Sequence, residues 1–331
     1  MITLFRITGD KAECLLCPHF CKIAKNKTGI CGARKNTGQK IELMTYGVIS
    51  GYALDPVEKK PLYHFFPGYN ILSVGSYGCN MRCDFCQNFN ISQKVPEFPR
   101  PEMTPEKLVR AALAAERNIG IAFTYNEPVI GFEFMSDAAR SAKEAGLFTV
   151  MVSNGYVNSD PLKEIIQFID AFNIDLKAFS SSYYRKLTGA SIEPVMEGLK
   201  QIAKSGKHLE ITTLIIPGQN DSEKEMALQC EWIAGELGKE IPLHLSRYFP
   251  MFKRDDPATS AETLTRLFEI ASEKLDNVYI GNTSSESGRN TKCPKCGNTV
   301  TIRSGYRTRL LNLDAEGKCM DCGTLIYKNF K

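Results

Sequence analysis

From Asn70 onward the chain alternates short apolar runs with longer stretches of helical period. The runs Ile71–Ser76, Gly120–Tyr125, Leu147–Val152, Ala171–Leu176, His208–Ile216 and Ile241–Tyr248 predict six strands, with Asn277–Ile280 a candidate seventh. Helices are expected between them. Thr104-Pro105 supplies an N-cap residue and a Pro at the first helical position, opening an Ala/Leu-rich helix to about Arg117. Ser222-Glu223-Lys224-Glu225 and Thr259-Ser260-Ala261-Glu262 both carry the capping-box spacing. Strands alternating with helices predict βαβ units and a parallel sheet, either a partial barrel or an open doubly wound sheet.

Strand parity separates these two. Asn173, Asp175 and Lys177 fall on one face of their strand, with Ile174 and Leu176 on the other. Glu210 and Thr212 share a face with Leu214, and His244 shares one with Ser246. A sheet buried between two helix layers reads as nearly continuous apolar residues. One polar face predicts a partial (βα)6 barrel, an α/β fold whose lumen holds a polar ligand.

The remainder of the chain has a different texture. The first 68 residues are rich in Gly and Cys, with one extended segment, Ile41–Tyr52. Asn282–Gly288 reads as a polar linker, leaving a small tail with strands expected at Thr299–Arg303 and Tyr306–Leu313. The expected division is 1–68, 69–283 and 284–331. At 331 residues, 43% hydrophobic and 24% charged, the chain is long and apolar enough for a substantial core. Its 41 basic and 37 acidic residues leave a net charge of +4, too mild to favour nucleic acid. No run approaches the ~20 apolar residues of a membrane span. The opening Met1–Arg6 lacks a signal-peptide pattern, so a cytoplasmic protein is expected.

Cysteine changes the picture. Of 12 cysteines, 11 fall in three tight groups, and Cys230 stands alone. In a reducing compartment such spacings point to metal rather than disulfides. Cys79, Cys83 and Cys86 form a C-x3-C-x2-C loop directly after the first strand of the series. Three thiolates can hold three irons of a 4Fe-4S cube and leave the fourth open to another ligand.

This spacing in this place resembles the radical S-adenosylmethionine superfamily, over roughly Asn70 to Gly281. The resemblance implies a 4Fe-4S cluster on Cys79, Cys83 and Cys86 whose unique iron binds S-adenosylmethionine. Reductive cleavage then yields methionine and a 5′-deoxyadenosyl radical that abstracts hydrogen. It also implies a one-electron donor such as flavodoxin or ferredoxin. Four further segments fall at successive strand ends, the ligand side of a parallel barrel. Thr124-Tyr125-Asn126-Glu127-Pro128 is similar to the family's Gly-Gly-Glu segment, with Tyr125 and Asn126 replacing the glycines. Ser153-Asn154-Gly155 resembles the segment that contacts the methionine carboxylate and ribose. Asp175-Leu176-Lys177 matches the Asp-x-Lys of glycyl-radical activases, and Ile215–Asp221 is similar to their Val-Pro-Gly segment near adenine. Asn126, Glu127, Ser153, Asn154, Asp175 and Lys177 are therefore the expected cofactor contacts. His244 and Arg247 are candidate substrate contacts.

Cys14, Cys17, Cys21 and Cys31 supply four soft ligands, for zinc or a second cluster, with zinc favoured because the segment shows little apolar shielding. Cys293, Cys296, Cys319 and Cys322 form C-x2-C-x22-C-x2-C, a zinc-ribbon pattern with a rubredoxin-like iron site as the rival. Cys14–Pro18, Gly29–Arg34 and Asp55–Gly68 together resemble the radical enzyme of the AmmeMemoRadiSam system, related to pyruvate formate-lyase activating enzymes. That implies association with Memo-like and AMMECR-like proteins. The Asp55–Gly68 stretch is expected to plug or frame the barrel mouth, with His64 facing the site. The resulting expectation is radical modification of a protein partner. The alternatives are direct turnover of a small molecule and a metal-ribbon module that binds protein or RNA.

Overall fold

The computed structural model describes residues 2–97, 102–283 and 287–330. Its centre is one eight-stranded sheet whose strands lie in chain order. They are β1 (Gly51–Pro56), β2 (Asn70–Gly75), β3 (Asn118–Phe123), β4 (Phe148–Ser153), β5 (Ala171–Asp175), β6 (His208–Ile215), β7 (Leu243–Arg247) and β8 (Val278–Gly281). β1 runs antiparallel to β2; every later pairing is parallel. The crossover helices are α1 (Pro105–Ala114), α2 (Phe132–Glu144), α3 (Ser159–Phe168), α4 (Glu193–Lys204), α5 (Glu223–Glu236) and α6 (Ala261–Ser272). Because the strand order never reverses, right-handed crossovers place all six helices on one face. A doubly wound sheet needs such a reversal. The sheet is therefore the partial barrel, extended by β8 and by the antiparallel β1.

Several local expectations change. The segment 41–52 is not one strand: Ile41–Leu43 pairs with Arg34–Asn36, turns through 44–50 follow, and β1 begins at Gly51. Gly47, at φ +70°, supplies the left-handed position of the turn that the Val48 N–H closes onto the Thr45 carbonyl at 3.1 Å. The cap of α6 is Ser260, whose hydroxyl accepts from the Thr263 N–H at 3.0 Å. Thr259, expected at that cap, instead accepts from Tyr248 N–H at 3.0 Å and donates to the Ile215 carbonyl at 2.6 Å. The middle of the expected linker, 284–286, lies outside the described residues.

Residues 51–68, placed by composition in the N-terminal module, belong to the barrel. Val57, Leu62, Phe65 and Phe66 pack against Ile71, Ala122, Val150 and Ala171 inside the lumen. The Asn173 amide donates to the Pro61 carbonyl at 2.8 Å. The fully buried Glu210 carboxylate accepts from the N–H groups of Tyr63 and His64 at 3.0 and 2.7 Å. It also meets His208 Nε2 at 2.9 Å and His244 Nε2 at 2.6 Å. Burial would push this carboxyl up, but its two imidazole partners hold it well below the usual carboxylate range. The plug thus fills the end of the lumen where β5 and β6 begin.

The C-terminal ribbon closes that end from below. Its strands are Thr291–Lys292, Thr299–Ser304 and Arg307–Leu310. Arg303 is fully buried and donates to the carbonyls of Tyr63 at 2.8 Å and Arg289 at 3.0 Å and to the Thr291 hydroxyl at 2.8 Å. Its guanidinium lies 4.1 Å from the Tyr63 ring centre. The tail is therefore locked to the plug rather than loosely tethered.

His64 belongs to the same junction. Its Nε2 meets the Tyr279 hydroxyl at 2.6 Å, and its ring packs on Tyr327 at 5.1 Å. Burial holds its imidazole down to about 3, with Arg303 and His208 lowering it further and Glu210 opposing them. An unfolded imidazole titrates near ~6.5. Stability from the neutral ring is complete above that value and is lost as pH falls through the window toward 3. The melting temperature of the wild type should therefore drop more steeply between pH 7 and 5 than that of His64→Gln. Parallel pH slopes in calorimetry would refute this.

Candidate functional site

The loop carrying Cys79, Cys83 and Cys86 leaves the C-terminal end of β2. Gly78 sits at φ +89°, and a Cβ there would lie 2.5 Å from the Cys31 carbonyl oxygen, so only glycine fits. Asn126, just past β3, ties down the loop entrance. Its side-chain oxygen accepts from the Ser76 N–H at 2.9 Å, and its amide donates to the Gly78 carbonyl at 3.1 Å. The loop exit is held by N–H bonds from Arg82 to the Thr188 carbonyl and from Asp84 to that of Leu187. Cys83 is buried, and Cys79 and Cys86 are partly exposed. Cys79 Sγ accepts from the Met81 N–H at 3.3 Å and the Asn154 amide at 3.6 Å. Burial pushes the Cys83 thiol up to about 12, with Lys177 opposing, and raises Cys79 well above its ordinary value.

Tyr125 and Asn126 stand where the resembled motif carries glycines. Tyr125 takes the left-handed backbone itself, at φ +72°, a conformation costly for a bulky residue. Its anchors are visible: the hydroxyl bonds Asp55 at 2.6 Å, and Lys60 lies 4.8 Å from the ring centre. Glu127 is buried and fully engaged. One carboxylate oxygen accepts from Val129 N–H at 3.0 Å and Ser153 Oγ at 2.8 Å, the other from Asn154 N–H at 2.8 Å. Burial lifts its carboxyl to about 7 despite these donors. Glu127 thus fixes the turn after β4. Asn154 in turn donates to Asn80 Oδ1 at 2.9 Å, reaching back into the cysteine loop.

Lys177, just past β5, pairs with Asp175 at 2.8 Å and is nearly buried. Burial opposes its charge, but Asp175 and the Cys83 thiol hold it well above its usual value. Asn220, from the segment after β6, donates to the Lys177 carbonyl at 2.7 Å and accepts from the Ile216 N–H at 2.7 Å. The structure therefore gathers Asn126, Glu127, Ser153, Asn154, Asp175 and Lys177 around the loop, at the C-terminal ends of consecutive strands.

The expectations for two histidines fail. His244 and His64 do not face this end; both are consumed by the plug network at the opposite one. Arg247 ends β7 and donates to the Thr259 carbonyl at 2.7 Å. Sequence reasoning missed Asn80, which is fully buried and bonds Asn154, the Tyr156 carbonyl at 2.7 Å and, through its own carbonyl, His19 at 2.7 Å. Its place inside the C-x3-C spacing was the available signal.

The flanking cysteines differ in geometry. Among the described residues, Cys293, Cys296, Cys319 and Cys322 are the one set of three or more His, Cys, Asp or Glu whose ligand atoms all lie within 4.8 Å of one another. Two sulfur pairs sit 3.4 and 3.7 Å apart. Cys14, Cys17 and Cys31 are buried; the Cys14 N–H bonds the Cys21 carbonyl at 3.0 Å, and the Cys31 carbonyl lies against Gly78 at the entrance of the Cys79 loop.

Comparison with known proteins agrees with this architecture. Residues 73–230 match the Radical SAM superfamily, a span that includes the Cys79 loop, Glu127, Asn154 and Lys177. An uncharacterized protein of Methanocaldococcus jannaschii is 41% identical over 97% of this chain and 96% of its own length. The pyruvate formate-lyase 1-activating enzyme of Escherichia coli strain K12 is 26% identical over 44% of this chain, which spans 61% of that enzyme. A radical SAM methyltransferase of Sphaerobacter thermophilus shares the fold, with a TM-score of 0.54, 14% identity, and coverage of 84% of this chain and 77% of that one. The chain belongs to the radical SAM superfamily and is an enzyme of that chemistry.

Proposed function

We propose that Cys79, Cys83 and Cys86 hold the family's 4Fe-4S cluster, that the surrounding strand ends bind S-adenosylmethionine, and that the enzyme abstracts hydrogen from a protein partner. The observation that carries this reading is the loop itself, three soft donors ringed by Glu127, Asn154 and Lys177. The donor set fits the cluster. The three sulfurs do not crowd within the 4.8 Å span of a single-ion set, and a cube places each thiolate on a separate iron. When bound, the cluster supplies the electron that splits S-adenosylmethionine into methionine and a 5′-deoxyadenosyl radical.

The chain's own residues position these groups. Glu127 locks the Ser153–Asn154 turn, and Asn154 then aims its amide at Cys79 and Asn80. Lys177 brings a buried ammonium beside Cys83, a donor suited to a carboxylate. Asp175 keeps that ammonium charged and aimed. Lys177→Ala removes a charge-assisted bond of about 1.5–3 kcal/mol and should weaken S-adenosylmethionine binding by roughly ten- to hundredfold. Anaerobic calorimetric titration checks this, and unchanged affinity would leave Lys177 as the partner of Asp175 alone.

Support for a protein substrate comes from the relatives' names, which include activating enzymes for pyruvate formate-lyase and isethionate sulfite-lyase. A one-electron donor of flavodoxin or ferredoxin type is part of this reading. So is association with Memo-like and AMMECR-like proteins, which rests on the resemblance of Cys14–Pro18, Gly29–Arg34 and Asp55–Gly68 together; the last of these is largely buried as the plug. Anaerobic turnover with a deuterated partner tests the whole. Deuterium reaching 5′-deoxyadenosine from the partner, or a lasting glycyl radical in it, supports the proposal; transfer from small molecules alone defeats it.

We further propose zinc at the C-terminal quartet. Tetrahedral Zn–S bonds of about 2.3 Å place sulfurs about 3.8 Å apart, close to the observed pairs. Cys296→Ala/Cys322→Ala should lose one zinc per chain by metal analysis. Iron at that position in the wild type would favour the rubredoxin-like rival.

A further inference from the structure

We infer that the N-terminal quartet Cys14, Cys17, Cys21 and Cys31 holds a second 4Fe-4S cluster, seated against the catalytic loop to pass it electrons one at a time. The three cysteine groups offer an internal comparison. The C-terminal quartet is contracted to the span of one ion. No three sulfurs of the N-terminal quartet meet that span, although the segment folds back on itself: the Cys14 N–H bonds the Cys21 carbonyl at 3.0 Å, and a Cβ on Gly29, two residues before Cys31, would lie 3.5 Å from the Cys21 sulfur. Cys79, Cys83 and Cys86 do not meet it either. The N-terminal quartet therefore shares the spread of the cluster-type loop rather than the contraction of the zinc-type ribbon.

The surroundings remove the earlier ground for zinc. Cys14 packs with Leu4, Ala12, Leu16 and Ile23 in the main core, and Cys31 packs with Ala33 and Ile130. Shielding is thus present, supplied by the segment's own apolar residues and, beside Cys31, by Ile130 of the barrel. Arg34, 2% exposed, lies beside Cys14 and Cys31 and is clamped by Glu133 at 2.7 and 2.8 Å. A fixed buried cation offsets the net negative charge of four thiolates on a cluster.

Position supplies the role. Three contacts join the two cysteine loops, each beside a ligand. The Cys31 carbonyl abuts Gly78, which precedes Cys79. His19, between Cys17 and Cys21, bonds the Asn80 carbonyl. The Arg82 guanidinium, next to Cys83, donates to the carbonyl of Ile30. In the relay one electron enters the N-terminal site from a low-potential donor protein and one leaves it for the catalytic loop. No other bond or group changes.

This inference rests on the radical reading of the Cys79 loop for its role, but not for the metal itself. The test uses the full chain carrying Cys79→Ala, Cys83→Ala and Cys86→Ala, reconstituted anaerobically with iron and sulfide. About four irons and four sulfides per chain are expected, with a reduced-cluster paramagnetic signal under dithionite. One zinc and no iron at the quartet would overturn the assignment whatever the catalytic loop does. In the otherwise intact chain, Cys21→Ala should lower the ratio of flavodoxin-driven to titanium(III)-driven cleavage about tenfold or more. An unchanged ratio would overturn the relay.

Discussion

Cys83→Ala is expected to reduce S-adenosylmethionine cleavage by about a thousandfold or more, equivalent to about 4 kcal/mol in the barrier, while the barrel stays folded. The sulfur is buried beside Lys177 at the centre of the loop, so no solvent ligand replaces it without opening the site. Trimming one buried sulfur removes little apolar area, and the loop is pinned independently by Asn126 and by the Thr188 and Leu187 carbonyls. Anaerobic quantification of 5′-deoxyadenosine, alongside circular dichroism, measures both halves. Near-normal cleavage by the variant would place the cluster elsewhere.

The second large effect concerns stability. Arg303→Ala should destabilise the protein by about 3–4 kcal/mol, because three buried acceptors lose their donor at about 1 kcal/mol each and the Tyr63 ring loses its stacked cation. Arg309→Ala, on the exposed strand Arg307–Leu310, should change little. Thermal melts of the two variants decide it; equal melting temperatures would mean that the ribbon is not part of the barrel's structural unit. Ending the chain at residue 283 should be still more damaging, since it also removes Tyr327 and Thr291 from the plug.

The barrel was legible because parity is local. Asn173, Glu210, Thr212 and His244 do share the inward face that alternation assigned them. Parity does not report depth along the axis, so the occupant of that face was misjudged: the polar groups bind the chain's own Pro61–His64 backbone. Register decides the matter, and register depends on pairings such as Thr212 with His244 that no local pattern encodes. The cysteine loop was legible because its ligands lie within eight residues of one another. Arg303 and Tyr63 stand 240 positions apart, and neither carries a signature of the other. Ser260 displaced Thr259 as a cap because the Thr259 hydroxyl serves Tyr248 and Ile215, a tertiary demand that outweighs local spacing.

The plug seals the lumen at the end where the strands begin. β1 and β8 stay unpaired edges of the sheet, so whatever reaches the cysteine loop arrives from the strand C-termini or past those edges. A macromolecule cannot enter from beneath; it would have to offer a loop or terminus from above or from the side.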